Sequence, residues 1–177
     1  MFSALLARRQ SRLPLVTIAL ASCIAAATIA ALGLLGDALD RPLLIAAFGA
    51  SCVLVFTFPE SPLSSPINVI GGHVVSALCG LLVCLFLPAA WWSMALGVGL
   101  ALAAMAMLRV THPPAGGTPI VIVLTQEGWT YLLAPVLAGA VVVALGGSLY
   151  RLLRARAEAG RAARRPLAGF KGSAGAP

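Results

Sequence analysis

Residues 111–119 read Thr-His-Pro-Pro-Ala-Gly-Gly-Thr-Pro, inside a stretch, 110–126, that contains no charged side chain. Pro113, Pro114 and Pro119 remove three amide donors, and Gly116 and Gly117 leave the backbone between them free to turn. A regular apolar helix cannot run through such a segment. The carbonyls it frees cannot face hydrocarbon either, so the backbone must lie in a protein-lined or watery interior. The stretch is expected to be a broken helix, and its surroundings say what it is broken within.

Those surroundings are lipid. Of 177 residues, 60% are apolar and 10% charged, with a mean hydropathy of +1.01. A soluble domain carries about 25% charged residues. The net charge of +7 sits in the tails: Arg8, Arg9 and Arg12 before the first apolar run, and six arginines with Lys171 against Glu158 after Tyr150. Between them lie only Arg41 and Arg109 against Asp37, Asp40, Glu60 and Glu127. The basic residues are terminal and not interleaved with stacking aromatics, which argues against nucleic acid as a partner. Cys23, Cys52, Cys79 and Cys84 lie within apolar runs without a Cys-x-x-Cys pair and read as small membrane residues.

Uncharged runs cover 13–36, 42–59, 61–108, 110–126 and 128–150. A span needs about 20 residues at 1.5 Å each, so the run 61–108 must hold two. Its turn falls at Leu87-Pro88-Ala89-Ala90-Trp91-Trp92, where proline ends a helix and tryptophans suit an interface. The first run is too long for the core of a cleaved export signal and is kept as a span. The fold class expected is all-α, a polytopic membrane protein with six spans. Arginine-rich ends place both termini in the cytoplasm of an inner (plasma) membrane protein. The parts are a basic amino terminus (1–12), a transmembrane domain (13–150) and a basic tail (151–177) expected to fray into disorder.

Sliding the chain against itself by 67 residues pairs Gly49 with Gly116, Ser51 with Thr118, Glu60 with Glu127, Gly72 with Gly139 and Gly80 with Gly147. Spans one to three (13–87) and four to six (91–150) then read as two inverted repeats, with the second and fifth spans broken. Helix starts are expected near Ala50-Ser51 and Gly117-Thr118. Their free amides and hydroxyls would face one another across a midplane hollow, a setting that attracts an anion without a buried arginine. The opposing reading is that these glycines only let helices pack, as Gly72, Ser76 and Gly80 are expected to do. His73 and His112 are the only histidines. An intramembrane imidazole suggests proton exchange or a hydrogen bond to a substrate oxygen, the plainer alternative being a bond that fixes the broken helix. Two histidines without a clustered third ligand do not make a metal site. Glu60 is expected as a boundary residue that could neighbour His73.

Phe48-Gly-Ala-Ser51, Pro59-Glu-Ser-Pro62, Asn68-Val-Ile-Gly-Gly-His73 and Thr111-His-Pro-Pro-Ala-Gly-Gly-Thr118, in this order, resemble the HPP family of small integral membrane proteins. The resemblance covers roughly residues 13–150. Members in cyanobacteria and chloroplasts are described as nitrite transporters, so it implies movement of a small monovalent anion. One position departs: Ile67 stands where members often carry an arginine before the asparagine. The expected function is transport of a small inorganic anion, nitrite for preference, with no enzymatic activity and no cofactor. Substrate-binding candidates are Gly49, Ala50, Ser51, Asn68, His73, His112, Gly116, Gly117 and Thr118. Partners are the bilayer, the anion and a second copy of the chain. The rival expectation is a non-transporting membrane scaffold or regulator, which predicts no water-accessible cavity.

Overall fold

A computed structural model describes residues 10–163, which form helices and turns without a strand. Helices run over Leu15–Ala38 (α1), Ala46–Thr57 (α2), Pro66–Phe86 (α3), Trp91–Met107 (α4), Thr118–Thr125 (α5) and Ala138–Ala163 (α6). A 3-10 turn, Pro113–Gly117, leads into α5, and a π-turn, Leu132–Leu137, leads into α6. Three helices are long and apolar enough to cross a membrane: Leu15–Ala38, Pro66–Phe86 and Leu132–Gly160. The other three are shorter, and they fall at the second, fourth and fifth spans expected from the sequence. At 12 and 8 residues, α2 and α5 are about 18 Å and 12 Å long, roughly half a bilayer core. The turn between α3 and α4 lies where the proline and paired tryptophans put it.

The break in the second span is earlier than expected. Ile45 is extended, α2 starts at Ala46, and Gly49, Ala50 and Ser51 all lie inside its continuous first turns. A lone glycine costs a helix about 1 kcal/mol and does not stop it, whereas Pro42 precedes the extended lead-in. The fifth segment breaks where its prolines require. His112 is extended, and α5 begins at Thr118 behind Gly117.

Helix α3 is the centre of the bundle, and its small residues face the broken segment. A Cβ on Gly72 would come 2.6 Å from His112 Cβ, and one on Gly80 would come 2.9 Å from Pro119 Cα and 3.2 Å from Ile122 Cβ. Between them Ser76 Oγ donates to the Ala115 carbonyl at 2.6 Å. That carbonyl is the one whose i+4 partner is Pro119, which has no amide hydrogen. Helix α6 packs on α2 in the same manner, Gly139 against the Phe48 ring and Gly147 against Val55. The contacts Gly80–Ile122 and Gly147–Val55 are related, residue for residue, by the 67-residue offset. The helical starts at Ala46 and Pro113 are separated by the same offset. Helix α1 is peripheral, burying only Thr28, Leu32 and Gly36.

Helix α6 continues through the first part of the basic tail to Ala163, and residues 1–9 and 164–177 lie outside the described residues. Arg151 donates to the carbonyls of Ser64, at 3.0 Å, and Pro59, at 3.5 Å, clasping the loop between α2 and α3. Glu60 does not neighbour His73. It is 83% exposed and stands 4.0 Å from Arg154, which also bonds Glu158.

Candidate functional site

Ser51 sits on the buried side of α2, about one and a half turns from its start at Ala46, and its Oγ is the meeting point of the two halves of the chain. It lies 2.9 Å from His73 Nε2 on α3 and 2.9 Å from His112 Nε2 on the extended lead-in to α5. A third contact, at 3.0 Å, is to the Ala47 carbonyl. Beyond the imidazoles the network continues. His112 Nδ1 donates to the Leu63 carbonyl at 2.8 Å, and His73 Nδ1 faces Thr118 Oγ1 at 3.5 Å. The rings lie 5.3 Å apart by centroid, and the Phe48 edge packs on His73 at 5.0 Å. Thus Ser51 and Thr118, paired by the repeat offset, flank one imidazole from opposite sides.

This cluster is closed. Ser51, His73 and His112 are 0% exposed and Thr118 is 1% exposed. The hollow expected between two helix ends is filled by side chains that bond directly to one another. The amides of Ala50 and Ser51, expected to be free, belong to the helical ladder of α2. What meets at this depth is a set of hydroxyls and imidazoles, because the helix start moved back to Ala46 and turned Ser51, not its amide, toward α3.

The remaining candidates are elsewhere. Gly49 lines an open apolar groove of about 610 Å³ between α1 and α2, with Ala25, Ile29, Cys52 and Phe56. Ala50 and Gly117 are exposed and Gly116 is half-buried, and a Cβ on any of Gly49, Gly116 or Gly117 would meet nothing within 4 Å. None of these four faces Ser51 through a side chain. Asn68 is buried but engaged locally. Its side chain accepts from Ser65 Oγ at 2.7 Å and donates to the Thr111 carbonyl at 2.9 Å. It therefore positions the extended segment that carries His112. Ile67, where an arginine was the family habit, is 67% exposed at the start of α3 and points away from the cluster.

Two participants escaped sequence reasoning. Ser76, read only as a packing residue, donates to the Ala115 carbonyl, which lacks its i+4 amide at Pro119 and otherwise accepts only from the Thr118 amide in the 3-10 turn. The Leu63 carbonyl fixes one nitrogen of His112, and no side-chain pattern announces a backbone acceptor. Gly71 and Gly72 carry the legible signal, since adjacent glycines on an apolar helix mark a close backbone approach. Here the approaching backbone is Val110–His112.

The class defined by this architecture is an all-helical membrane protein in which half-length helices bury a histidine–serine cluster. The profile described as "HPP, transmembrane region" matches residues 10–159, and the chain belongs to that family. Two transmembrane proteins of Dictyostelium discoideum are similar to it. One is 36% identical over 110 residues, covering 58% of this chain and 35% of the relative. The other is 36% identical over 119 residues, covering 62% and 42%. The chain thus spans less than half the length of these relatives. No solved structure matches it.

Proposed function

We propose that the chain is a transporter of a small inorganic anion, nitrite for preference, acting by translocation and not by catalysis. Six crossings arranged as two inverted three-span repeats complete the reading. The short helices α2 and α5 cross together with their extended lead-ins, and the offset-related contacts Gly80–Ile122 and Gly147–Val55 support that symmetry. Both termini lie in the cytoplasm of a plasma-membrane protein under the same reading, since the basic residues gather at the ends.

The observation that carries the proposal is the buried meeting of Ser51 on the short helix α2, His73 on the central helix α3 and His112 on the broken segment of the other half. Intramembrane imidazoles are costly and belong by default to a translocation path. Neutral donors of this kind can hold a monovalent oxyanion in low dielectric without an arginine, whose desolvation would be far more expensive.

The closed packing of the same cluster favours a second reading, a scaffold whose polar core only fixes the broken helix. Uptake of labelled nitrite into proteoliposomes, measured against protein-free vesicles, separates the two. Transport requires uptake that Ser51→Ala and His112→Ala abolish and Thr118→Val reduces. Uptake unchanged by His112→Ala and Thr118→Val removes the site. Reaction of aqueous thiol reagents with a cysteine at position 51 or 118 during turnover supports transport; protection throughout supports the scaffold.

A further inference from the structure

Counting hydrogens around Ser51 Oγ gives the cluster a definite proton content. The Leu63 carbonyl can only accept, so His112 carries its hydrogen on Nδ1, and in a neutral ring its Nε2 is bare. The Ser51 hydroxyl must then donate to His112 Nε2. With its single hydrogen committed there, Ser51 can only accept from His73, which places the His73 hydrogen on Nε2 and leaves Nδ1 bare toward the Thr118 hydroxyl. The opposite choice for His73 would set lone pair against lone pair at 2.9 Å. The two histidines are therefore opposite tautomers, joined head to tail through one hydroxyl. Three oxygen or nitrogen partners lie within 3.0 Å of Ser51 Oγ, yet the neutral cluster supplies hydrogens for two of those contacts. One more proton completes the set. It binds His112 Nε2, and the Ser51 hydroxyl swings to the Ala47 carbonyl.

We propose that Ser51, His73 and His112 form a single-proton site, with the added proton held on His112. This deepens the transport reading by naming its coupling: one proton moves with one monovalent anion. The step balances. Hydronium gives up a proton and leaves water, an N–H bond forms at His112 Nε2, and Ser51 keeps its hydrogen while changing acceptor. Besides each other, the imidazoles touch uncharged groups: Phe48 and Ser51 from α2, the Leu63 carbonyl from the following turn, and Thr118 from α5. The charged residues at that end, Arg151, Arg154 and Glu60, engage the loop 59–64 or each other and not the rings. With no carboxylate at the rings, the cationic state lacks an internal counter-charge, and a bound anion is what supplies it. Proton and anion therefore favour each other's binding.

The test is solid-state NMR of the full chain, labelled with 15N-histidine and reconstituted in phospholipid bilayers, titrated with and without nitrite. The expected spectrum near neutral pH has two different neutral tautomers, with Nδ1–H at His112 and Nε2–H at His73. Acidification is expected to protonate both nitrogens of His112, and at higher pH when nitrite is present. Ser51→Thr keeps this pattern and Ser51→Ala uncouples the two rings. Identical tautomers, a bare Nδ1 at His112, or a first proton added at His73 overturns the proposal. In proteoliposomes, protein-mediated nitrite uptake is expected to rise about tenfold per unit fall in external pH; uptake independent of pH overturns the coupling. The spectra read the proton site whether or not nitrite crosses. Expected tautomers without uptake reject transport alone, whereas wrong tautomers with uptake reject the proton site alone.

Discussion

Gly72→Ala tests whether the close approach that builds the cluster is what the structure says it is. At an ordinary helical position this substitution is stabilising, because alanine is favoured over glycine by about 1 kcal/mol. Gly72 is helical and its φ is not positive, so the backbone imposes no objection. Space does. The new Cβ would lie 2.6 Å from His112 Cβ and 3.0 Å from the Val110 carbonyl oxygen, about 0.8 Å short of ordinary contact with the former. Those atoms belong to backbone and to the root of a side chain, so no flexible tip can move aside. The extended segment must shift, and the His112 bonds of 2.9 Å to Ser51 and 2.8 Å to the Leu63 carbonyl cannot both survive that displacement. Overpacking costs roughly 1–3 kcal/mol and an unpaired buried group roughly 1–3 more, against the 1 kcal/mol gained. The expected net loss is about 1–5 kcal/mol. Reversible unfolding in mixed micelles measures it, with Gly116→Ala, whose Cβ meets nothing within 4 Å, as the reference. A Gly72→Ala protein as stable as the wild type, or more stable, would refute the contact and with it the placement of His112.

Ser76→Ala removes the hydroxyl that serves the Ala115 carbonyl and is expected to cost about 1–2 kcal/mol in the same unfolding assay; Ser76→Thr is expected to do worse than Ser76→Cys because the position is fully buried. Arg151→Met loses the bonds to Ser64 and Pro59, and limited proteolysis should cut the 59–65 loop several times faster than in the wild type. Glu60→Gln should leave stability within about 0.5 kcal/mol, since its partner is 4.0 Å away and the carboxylate is exposed.

Residue by residue, sequence and structure agree where a strong physical constraint acts alone. Three prolines in nine residues break a helix wherever they fall, so the start at Thr118 was legible. Two tryptophans behind a proline likewise marked the turn before α4. The start of α2 was not, because Gly49 is only a weak breaker and the extended stretch ending at Ile45 contains ordinary apolar residues. That four-residue error changed the chemistry at the site: an expected pair of amide-lined helix ends became a hydroxyl between two imidazoles. The histidines were recognised from their cost in hydrocarbon, yet nothing in their spacing said that Ser51 would bridge them. The contact 22 positions apart depends on how α2 packs on α3, and the contact 61 positions apart on how the halves dock. Asn68 looked like a binding residue for a similar reason, since a polar side chain in an apolar run has no visible partner until Thr111 arrives from the other half.

The relation between the two halves explains why the polar chemistry sits where it does. The offset that maps Gly80–Ile122 onto Gly147–Val55 also maps Ser51 onto Thr118. The histidines are not: the same offset takes His73 to Ala140 and His112 to Ile45. A fully symmetric pair of clusters would bury four imidazoles in hydrocarbon, and each carries its own desolvation cost. Ile45 and Ala140 instead pack into the apolar core around α2 and α6. The polar residues are thereby concentrated beside the 59–65 loop, whose Leu63 carbonyl accepts from His112 and which Arg151 holds in place. Glycine lets both short helices, α2 and α5, be approached closely, Gly147 against Val55 and Gly80 against Ile122. Only the approach beside α5 carries imidazoles, because the residues at the offset positions of His73 and His112 are Ala140 and Ile45.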